Sequence, residues 1–505
     1  MPRPPSWIND ATRAASIAQV AQRPVDVLVI GGGITGAGVA LDAVTRGLSV
    51  ALLESHDLAS GTSAYSSKLV HGGLRYLATG DLHLAWESAM ERARLMTAIA
   101  PHLVRPLAFA VPDLRRGKRT EFLLSMIGTA LADGIRRATT LPGSVLPGPR
   151  RLSAQGLHAM IPSIPASAVR GGTLYWDGQL EDDARLVLGV ARTAASFGAH
   201  MIRDLRVDSA TATGVVATDQ RTGEVHELAA GVVVNATGVW AADLEPALRV
   251  LPSRGSHIVV RSERLGHPSA AYTVPVPGRF GRFVFVLPGP DGLSFIGITD
   301  EEDRDADGRT GSAPPSDIDF LLQVAGREMT VPLTRADVIG SFAGLRPLVS
   351  AGTTTSDVSR RHLVLDHAGR PVTIVGGKLT TYRRMAEDTV DAAVRRLPAA
   401  GPCRTRMLGL VGSNGAGRSP STRLERRYGS EASDVEQLAR DYPELAGPLF
   451  DDCAVTGEEL LFGVLAEGAA SVDDLLNRRT RLGLVPADAE RARPVAERIL
   501  ARARP

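Results

Sequence analysis

Lysine is nearly missing from this 505-residue chain: of 57 basic residues only Lys68, Lys118 and Lys378 are lysine, and the rest are arginine. A codon bias toward arginine explains the background, yet two of the three lysines fall inside motifs described below. A compact ammonium and a planar guanidinium are not interchangeable, so Lys68 and Lys378 mark positions that need lysine itself. Cysteine is scarce as well. Cys403 and Cys453 are far apart and in no metal-type spacing, which excludes a disulfide scaffold, gives no expectation of a metal, and reads as reduced thiols in an intracellular protein. No apolar run reaches the length of a bilayer-spanning helix. Residues 1–24 contain Asp10 and lack the apolar core of a signal peptide, so they read as a surface tail or a docked strap. An excess of one charge is also absent: a net charge of +2 gives no reason to expect a nucleic-acid partner. What is present is 44% hydrophobic and 22% charged, the balance of a folded chain. Its length calls for two or three domains.

The most informative pattern lies near the N-terminus. Val25 to Ile30 (VDVLVI) reads as a buried parallel strand, Gly31, Gly33 and Gly36 complete GxGxxG, and Ala37 to Thr45 continue as a helix. Leu48 to Leu53 form a second apolar strand with Glu54 at its end. The first glycine makes the tight turn, the second lets backbone approach a pyrophosphate, and the third lets helix pack on strand. The helix N-terminus faces the phosphate charge, and Glu54 can accept hydrogen bonds from an adenosine ribose. This fingerprint does not choose between FAD and NAD. Two later strand–turn sites favour the longer cofactor, held extended across a domain. Val232 to Val234 run into Asn235, Ala236, Thr237 and Gly238; Val372 to Val375 run into Gly376, Gly377, Lys378, Leu379 and Thr380 before another helix.

The run Ser66 to Leu77 (SSKLVHGGLRYL) resembles the flavin-contacting segment of the FAD-dependent, respiratory glycerol-3-phosphate dehydrogenases. Further segments agree in order: Trp176, DDARL from Asp182, NATG from Asn235, GSHIVV from Gly255, GLRPL from Gly344, and GGKLTTYRRMAE from Gly376. DDLLNRRT from Asp473 is similar to the family's cap domain. The resemblance covers nearly the whole chain and implies an α/β fold related to the D-amino-acid and glycine oxidases. That fold has a Rossmann-like FAD-binding domain, a β-rich substrate domain and a helical C-terminal cap. Mapped on this sequence, residues 1–24 are the tail, and 25–100, 181–245 and 346–405 the FAD domain. Residues 101–180 and 246–345 form the substrate domain, and 410–505 the helical domain.

The resemblance implies oxidation of sn-glycerol 3-phosphate to dihydroxyacetone phosphate by hydride transfer to flavin N5. Electrons pass on to a membrane quinone; oxygen as acceptor, with release of hydrogen peroxide, is the alternative. The implied protein is cytoplasmic, peripheral on the cytoplasmic face of the membrane, with room for a homodimer. It adds Thr62, Ser63, Ser67, Lys68, Leu69, His71, Gly72 and Gly73 to the cofactor contacts. Such a reaction needs a base, cations for the phosphate and support for negative charge on the reduced flavin. His257, in a glycine turn entering a strand, is the first choice for the base, with His71 as competitor. By its pattern alone His257 reads as a satisfied strand histidine. Arg346, Arg360 and Arg75 are the phosphate candidates, since the guanidinium fork matches phosphate oxygens. Tyr76 is placed to bond a substrate oxygen, and Lys378 to stabilise negative charge. Lys68 is expected on cofactor phosphate or on its own segment's backbone. Arg115, Arg116, Lys118, Arg119, Arg136 and Arg137 flank the apolar run Phe122 to Ala132, a pattern shared by interfacial helices and core helices with solvated ends.

Overall fold

The computed structural model describes residues 5–73, 81–117, 119–139, 141–279, 282–303, 311–349, 361–413 and 420–503. The expected substrate contacts Arg75, Tyr76 and Arg360 lie outside the described residues.

Of the two expected readings of the N-terminus, surface tail or docked strap, residues 10–22 take the second, as a docked helix. Asn9 caps a helix, Asp10–Gln22 (α1), by accepting from the Thr12 N–H. Val20 enters a core with Leu28, Leu53 and Val233. Arg13 donates to the Arg203 carbonyl (2.7 Å) and pairs with Asp219 (2.9 Å). The docked face consists of Arg13, Ser16 and Val20, with Ile17 partly buried beside them.

The first sheet is built around Val25–Ile30 (β1), which pairs in parallel with Val50–Leu53 (β2) and with Val225–Asn235. Val372–Gly376 joins Val225–Asn235, also in parallel. These largely aliphatic runs are buried on both faces, as parallel strands must be. On one face lies the helix Ile34–Thr45 (α2), packed against the helices Asp183–Ser196 and Tyr382–Ala393. On the other, the antiparallel strands Leu205–Ala210 and Gly214–Asp219 run beside the start of Val225–Asn235. Because the four central strands are parallel, their carboxyl ends share one edge. Gly31, Glu54, Ala236 and Gly377 all follow those ends, the place where open α/β sheets bind ligands.

The second sheet has ten strands, mostly antiparallel. Val250–Arg261 lies between Leu293–Gly297 and Gly340–Val349, and Val104–Leu114 runs against Val169–Leu180. Two strands cross the expected domain borders. Leu69–Val70 pairs with Gly178 and Gln179, taking the end of the flavin segment into the second sheet. Gly340–Val349 continues through the expected border at 345/346, so Arg346 belongs to the substrate sheet. Backbone pairing, which composition does not report, decides both. The C-terminal residues are helical, and Leu460, Leu475, Leu476 and Ile499 form their own core. Among the described residues no helix is long and apolar enough to cross a membrane.

Candidate active site

The carboxyl ends of the parallel strands open into one cleft of about 3220 Å³, walled by both sheets and lined also by Ser471, Asp473, Asp474, Asn477 and Arg478. At its nucleotide end a Cβ on Gly31 would lie 2.7 Å from the Ala236 carbonyl oxygen, and one on Gly36 would lie 1.9 Å from that of Gly31. Strand and helix can approach this closely only with glycine there. Glu54 accepts from the N–H groups of Gly32 (2.6 Å) and His56 (2.9 Å). Burial pushes its carboxyl above the ordinary value, against those hydrogen bonds. The Ser63 hydroxyl accepts from the Ile34 N–H at the start of α2 (2.9 Å). At the other end Gly376 and Gly377 adopt positive φ (+78° and +76°), and a Cβ on Gly377 would meet the Met385 sulfur at 2.5 Å.

The flavin segment is anchored from behind. Asp183 accepts from the N–H and the hydroxyl of Ser66, both at 2.8 Å. Lys68 is buried, with Nζ 3.5 Å from Asp183 and 4.5 Å from the Phe342 ring centroid. It does not line the cleft, and burial lowers its pKa despite Asp183. Of the two expected placements of Lys68, a cofactor phosphate or the segment's own backbone, the geometry has the second: its ammonium holds the segment's own frame, including the Ser66 carbonyl (3.5 Å). Gly72 likewise faces away, its N–H bonded to Asp177 (2.9 Å). Gly36 serves packing rather than contact. The remaining expected cofactor residues, Gly31, Gly33, Glu54, Thr62, Ser63, Ser67, Leu69, His71, Gly73, Ala236, Thr237, Gly238, Gly377, Lys378, Leu379 and Thr380, all line the cleft.

The two candidate histidines differ in their exposure to the cleft. His257 is fully buried and does not line the cleft. Its ring stacks on Phe342 (4.7 Å, 12°), its Nε2 lies 2.9 Å from the Ser67 hydroxyl, and its Nδ1 has no hydrogen-bond partner. Burial, with the Lys68 and Arg346 cations nearby, lowers its pKa to about 3. Its hydrogen-bond partner Ser67 does line the cleft. His71 does open into it, with 44% of its side chain exposed and Nδ1 3.4 Å from Asp177. Asp177 is buried and bonded to Arg92 (2.7 Å). Burial alone would raise the Asp177 carboxyl, but the Arg92 guanidinium and the His71 ring outweigh it and hold it below its ordinary value.

Arg346 reaches the same cleft. It approaches Asp300 (3.2 Å), the Ser253 hydroxyl and the Thr299 carbonyl (both 3.3 Å). A Cβ on Gly255 would come within 2.5 Å of its terminal nitrogen, which accounts for the glycine of GSHIVV. Lys378 donates to the Ser88 hydroxyl (2.9 Å). Tyr175, stacked on Phe109 (5.3 Å, 19°), also lines the cleft, and burial keeps its phenol protonated. Asp177, Arg92 and Tyr175 were not anticipated. Asp177 and Tyr175 flank the motif residue Trp176, the one available signal; nothing in the helix Leu82–Arg94 distinguishes Arg92.

A parallel sheet with this fingerprint, a long cleft across two domains and a histidine–aspartate pair beside cations define a flavin-dependent oxidoreductase. The model of the FAD dependent oxidoreductase family matches residues 26–383, and that of the C-terminal domain of alpha-glycerophosphate oxidase matches residues 372–504. The chain is 45% identical to glycerol-3-phosphate dehydrogenase 1 of Mycobacterium tuberculosis, covering 98% of each. It is 33% identical to the glycerol-3-phosphate dehydrogenase of Synechocystis, covering 92% of this chain and 90% of that one. The glycerol-3-phosphate dehydrogenase of Bacillus halodurans, solved with FAD, superposes with a TM-score of 0.74 at 28% identity, over 97% of this chain and 93% of that one. The L-alpha-glycerophosphate oxidase of Mycoplasma pneumoniae, at 18% identity and a TM-score of 0.58 over 77% and 99%, shares the fold. The chain belongs to the FAD-dependent glycerol-3-phosphate dehydrogenase family. The glycine cradle, Glu54 and the open space between them and Gly377 fit FAD.

Proposed function

We propose that the protein oxidises sn-glycerol 3-phosphate to dihydroxyacetone phosphate, with His71 as the group that takes the hydroxyl proton. The observation carrying this reading is the His71–Asp177 pair opening into the cleft that also receives Arg346 and Lys378. FAD supplies the hydride acceptor, flavin N5, when bound. His71 Nε2 accepts the proton of the secondary alcohol, while Asp177 orients the ring through Nδ1 and offsets the charge it gains. Arg346 binds the phosphate, which draws it from its contact with Asp300. Lys378 stabilises the negative charge left as the hydroxyl proton departs. Arg75, Tyr76 and Arg360 remain part of the proposed phosphate and substrate contacts. His257 holds Ser67 in place from behind.

Anaerobic addition of sn-glycerol 3-phosphate should bleach the flavin, whereas unphosphorylated glycerol should not. Bleaching by both at equal concentration would remove the phosphate from the reading.

A membrane quinone is the acceptor that the surface favours. On the helix Arg119–Ala138, Leu123 (56%), Leu124 (54%), Ile127 (51%) and Leu131 (56%) are exposed along one stripe, and the last three also line the cleft. Arg115, Arg116, Arg119 and Arg137 are exposed beside them. An apolar stripe with basic flanks suits an anionic membrane surface, here the cytoplasmic face. Liposome flotation should fail for Leu123→Ser/Leu131→Ser, and unchanged flotation would discard this face. Rapid oxygen uptake with peroxide release in the absence of a quinone analogue would favour the oxidase reading instead.

A further inference from the structure

The run Asp473 to Thr480 (DDLLNRRT) plays no part in the chemistry above. Its first residues form a short helix capped by Ser471, which passes into a π-helical turn, Leu475–Arg479. Leu475 and Leu476 enter the core of the C-terminal domain. Arg478 and Arg479 reach across to the FAD-binding domain. Arg479, with no exposed side-chain surface, donates to both oxygens of Asp57 (2.6 and 2.8 Å), and Arg478 Nε donates to the same carboxylate (2.5 Å). Burial opposes ionisation of Asp57, but the two guanidiniums prevail and hold its carboxyl well below the ordinary range. Two residues further on, Arg481 donates to the Ala64 carbonyl and lies 3.5 Å from Asp182 and 3.6 Å from Asp183. It does so from a left-handed backbone conformation, φ +68°, which non-glycine residues hold only when their surroundings enforce it.

Two of the groups these arginines hold, Asp57 and the Ala64 carbonyl, lie in separate loops beside the cleft. Asp57 belongs to the loop after β2, whose Ser55, His56 and Ser60 all bond Glu54. Ala64 ends the turn that carries Thr62 and Ser63. Both loops line the cleft, and so do Asp473, Asp474, Asn477 and Arg478 of the clamping segment itself. Asn477 lines the cleft, with its carboxamide oxygen packed on Gly483, where a Cβ would lie 1.7 Å away. If the segment served only to join two domains, apolar residues would do as well, because buried ion pairs recover little beyond their desolvation cost. What fixed arginines add is conformation: they order the two loops before the ligand arrives, which lowers the cost of binding it.

We propose that the C-terminal domain is a cofactor clamp. Its arginines pre-order the two FAD loops, and Asn477 with Arg478 closes the adenosine end of the cleft, so this domain sets how slowly FAD leaves. The test uses purified holoprotein and three variants: Asn477→Ala, which breaks no ion pair; Arg478→Ala, which leaves Asp57 paired with Arg479; and Asp57→Asn. FAD release is followed by the rise in free-flavin fluorescence after dilution, and melting temperature is measured with and without excess FAD. Each lost hydrogen bond to a held loop or ligand should speed release about tenfold, with excess FAD restoring the melting temperature. Unchanged release in both alanine variants would overturn the proposal. So would a fall in melting temperature that excess FAD does not repair, since that marks a purely structural interface. If Asp57→Asn fails to fold, the two alanine variants decide.

Discussion

Replacing His71 by asparagine removes a cleft-facing imidazole while leaving Asp177 bonded to Arg92 (2.7 Å) and to the Gly72 N–H (2.9 Å). The buried carboxylate stays paired, and a side chain already 44% exposed is exchanged, so the fold and the cleft should persist. A positioned general base contributes about 10²–10⁴-fold to rate, or about 3–5 kcal/mol of barrier. Stopped-flow mixing with sn-glycerol 3-phosphate under anaerobic conditions reads this directly as the rate of flavin bleaching. His71→Asn should slow it by that factor with FAD content unchanged. His257→Gln, acting only through the Ser67 hydroxyl at 2.9 Å, should slow it less than His71→Asn. A His71→Asn enzyme within threefold of the parent, or a His257→Gln enzyme with the larger loss, would refute the assignment and return the base to His257.

Three further outcomes follow from the same geometry. Asp177→Asn strands the buried Arg92 charge and should cost about 3–5 kcal/mol in denaturant melts. Because the Asp177 carboxyl is held below its ordinary value, its contribution is complete above about pH 4, and the gap to the parent should close as pH falls through the folded value. His257 is neutral in the fold down to about pH 3 but protonates near pH 6.5 when unfolded. Its stabilisation is therefore complete above about pH 6.5 and declines on acidification by up to about 1.4 kcal/mol per pH unit; His257→Gln should flatten that slope between pH 6.5 and 4, measured by chemical denaturation. Gly36→Ala drives a methyl to 1.9 Å from the Gly31 carbonyl, and the purified protein should carry little FAD, read from its visible spectrum.

The nucleotide end was legible because its signals are local. The glycine spacing, the apolar runs and Glu54 all act within about thirty residues, and the sheet then brings Ala236 and Gly377 to the same edge. Whole-chain resemblance supplied the rest of the expected cofactor residues, most of which line the cleft, yet it could not say which way a side chain faces. Lys68 lies in the flavin segment but turns inward, because the buried Asp183 lies on that side. His257 sits in a matching motif but behind Ser67, whereas His71 owes its prominence to Asp177, more than a hundred residues away. Strand membership of Leu69–Val70 and of residues 346–349 depends on long-range pairing, which period and composition do not encode. The helix Asp10–Gln22 was missed because its burial rests on Arg13 and its contacts with Arg203 and Asp219, an uncommon way to dock a helix.

The pairing of Leu69–Val70 with the second sheet, and the 2.6 Å hydrogen bond from Thr62 to the Leu345 carbonyl, stitch the flavin segment to the substrate domain on both sides of Ser67. A displacement of either sheet is thereby carried to Ser67 and His71, which lie between the two stitches or next to one of them.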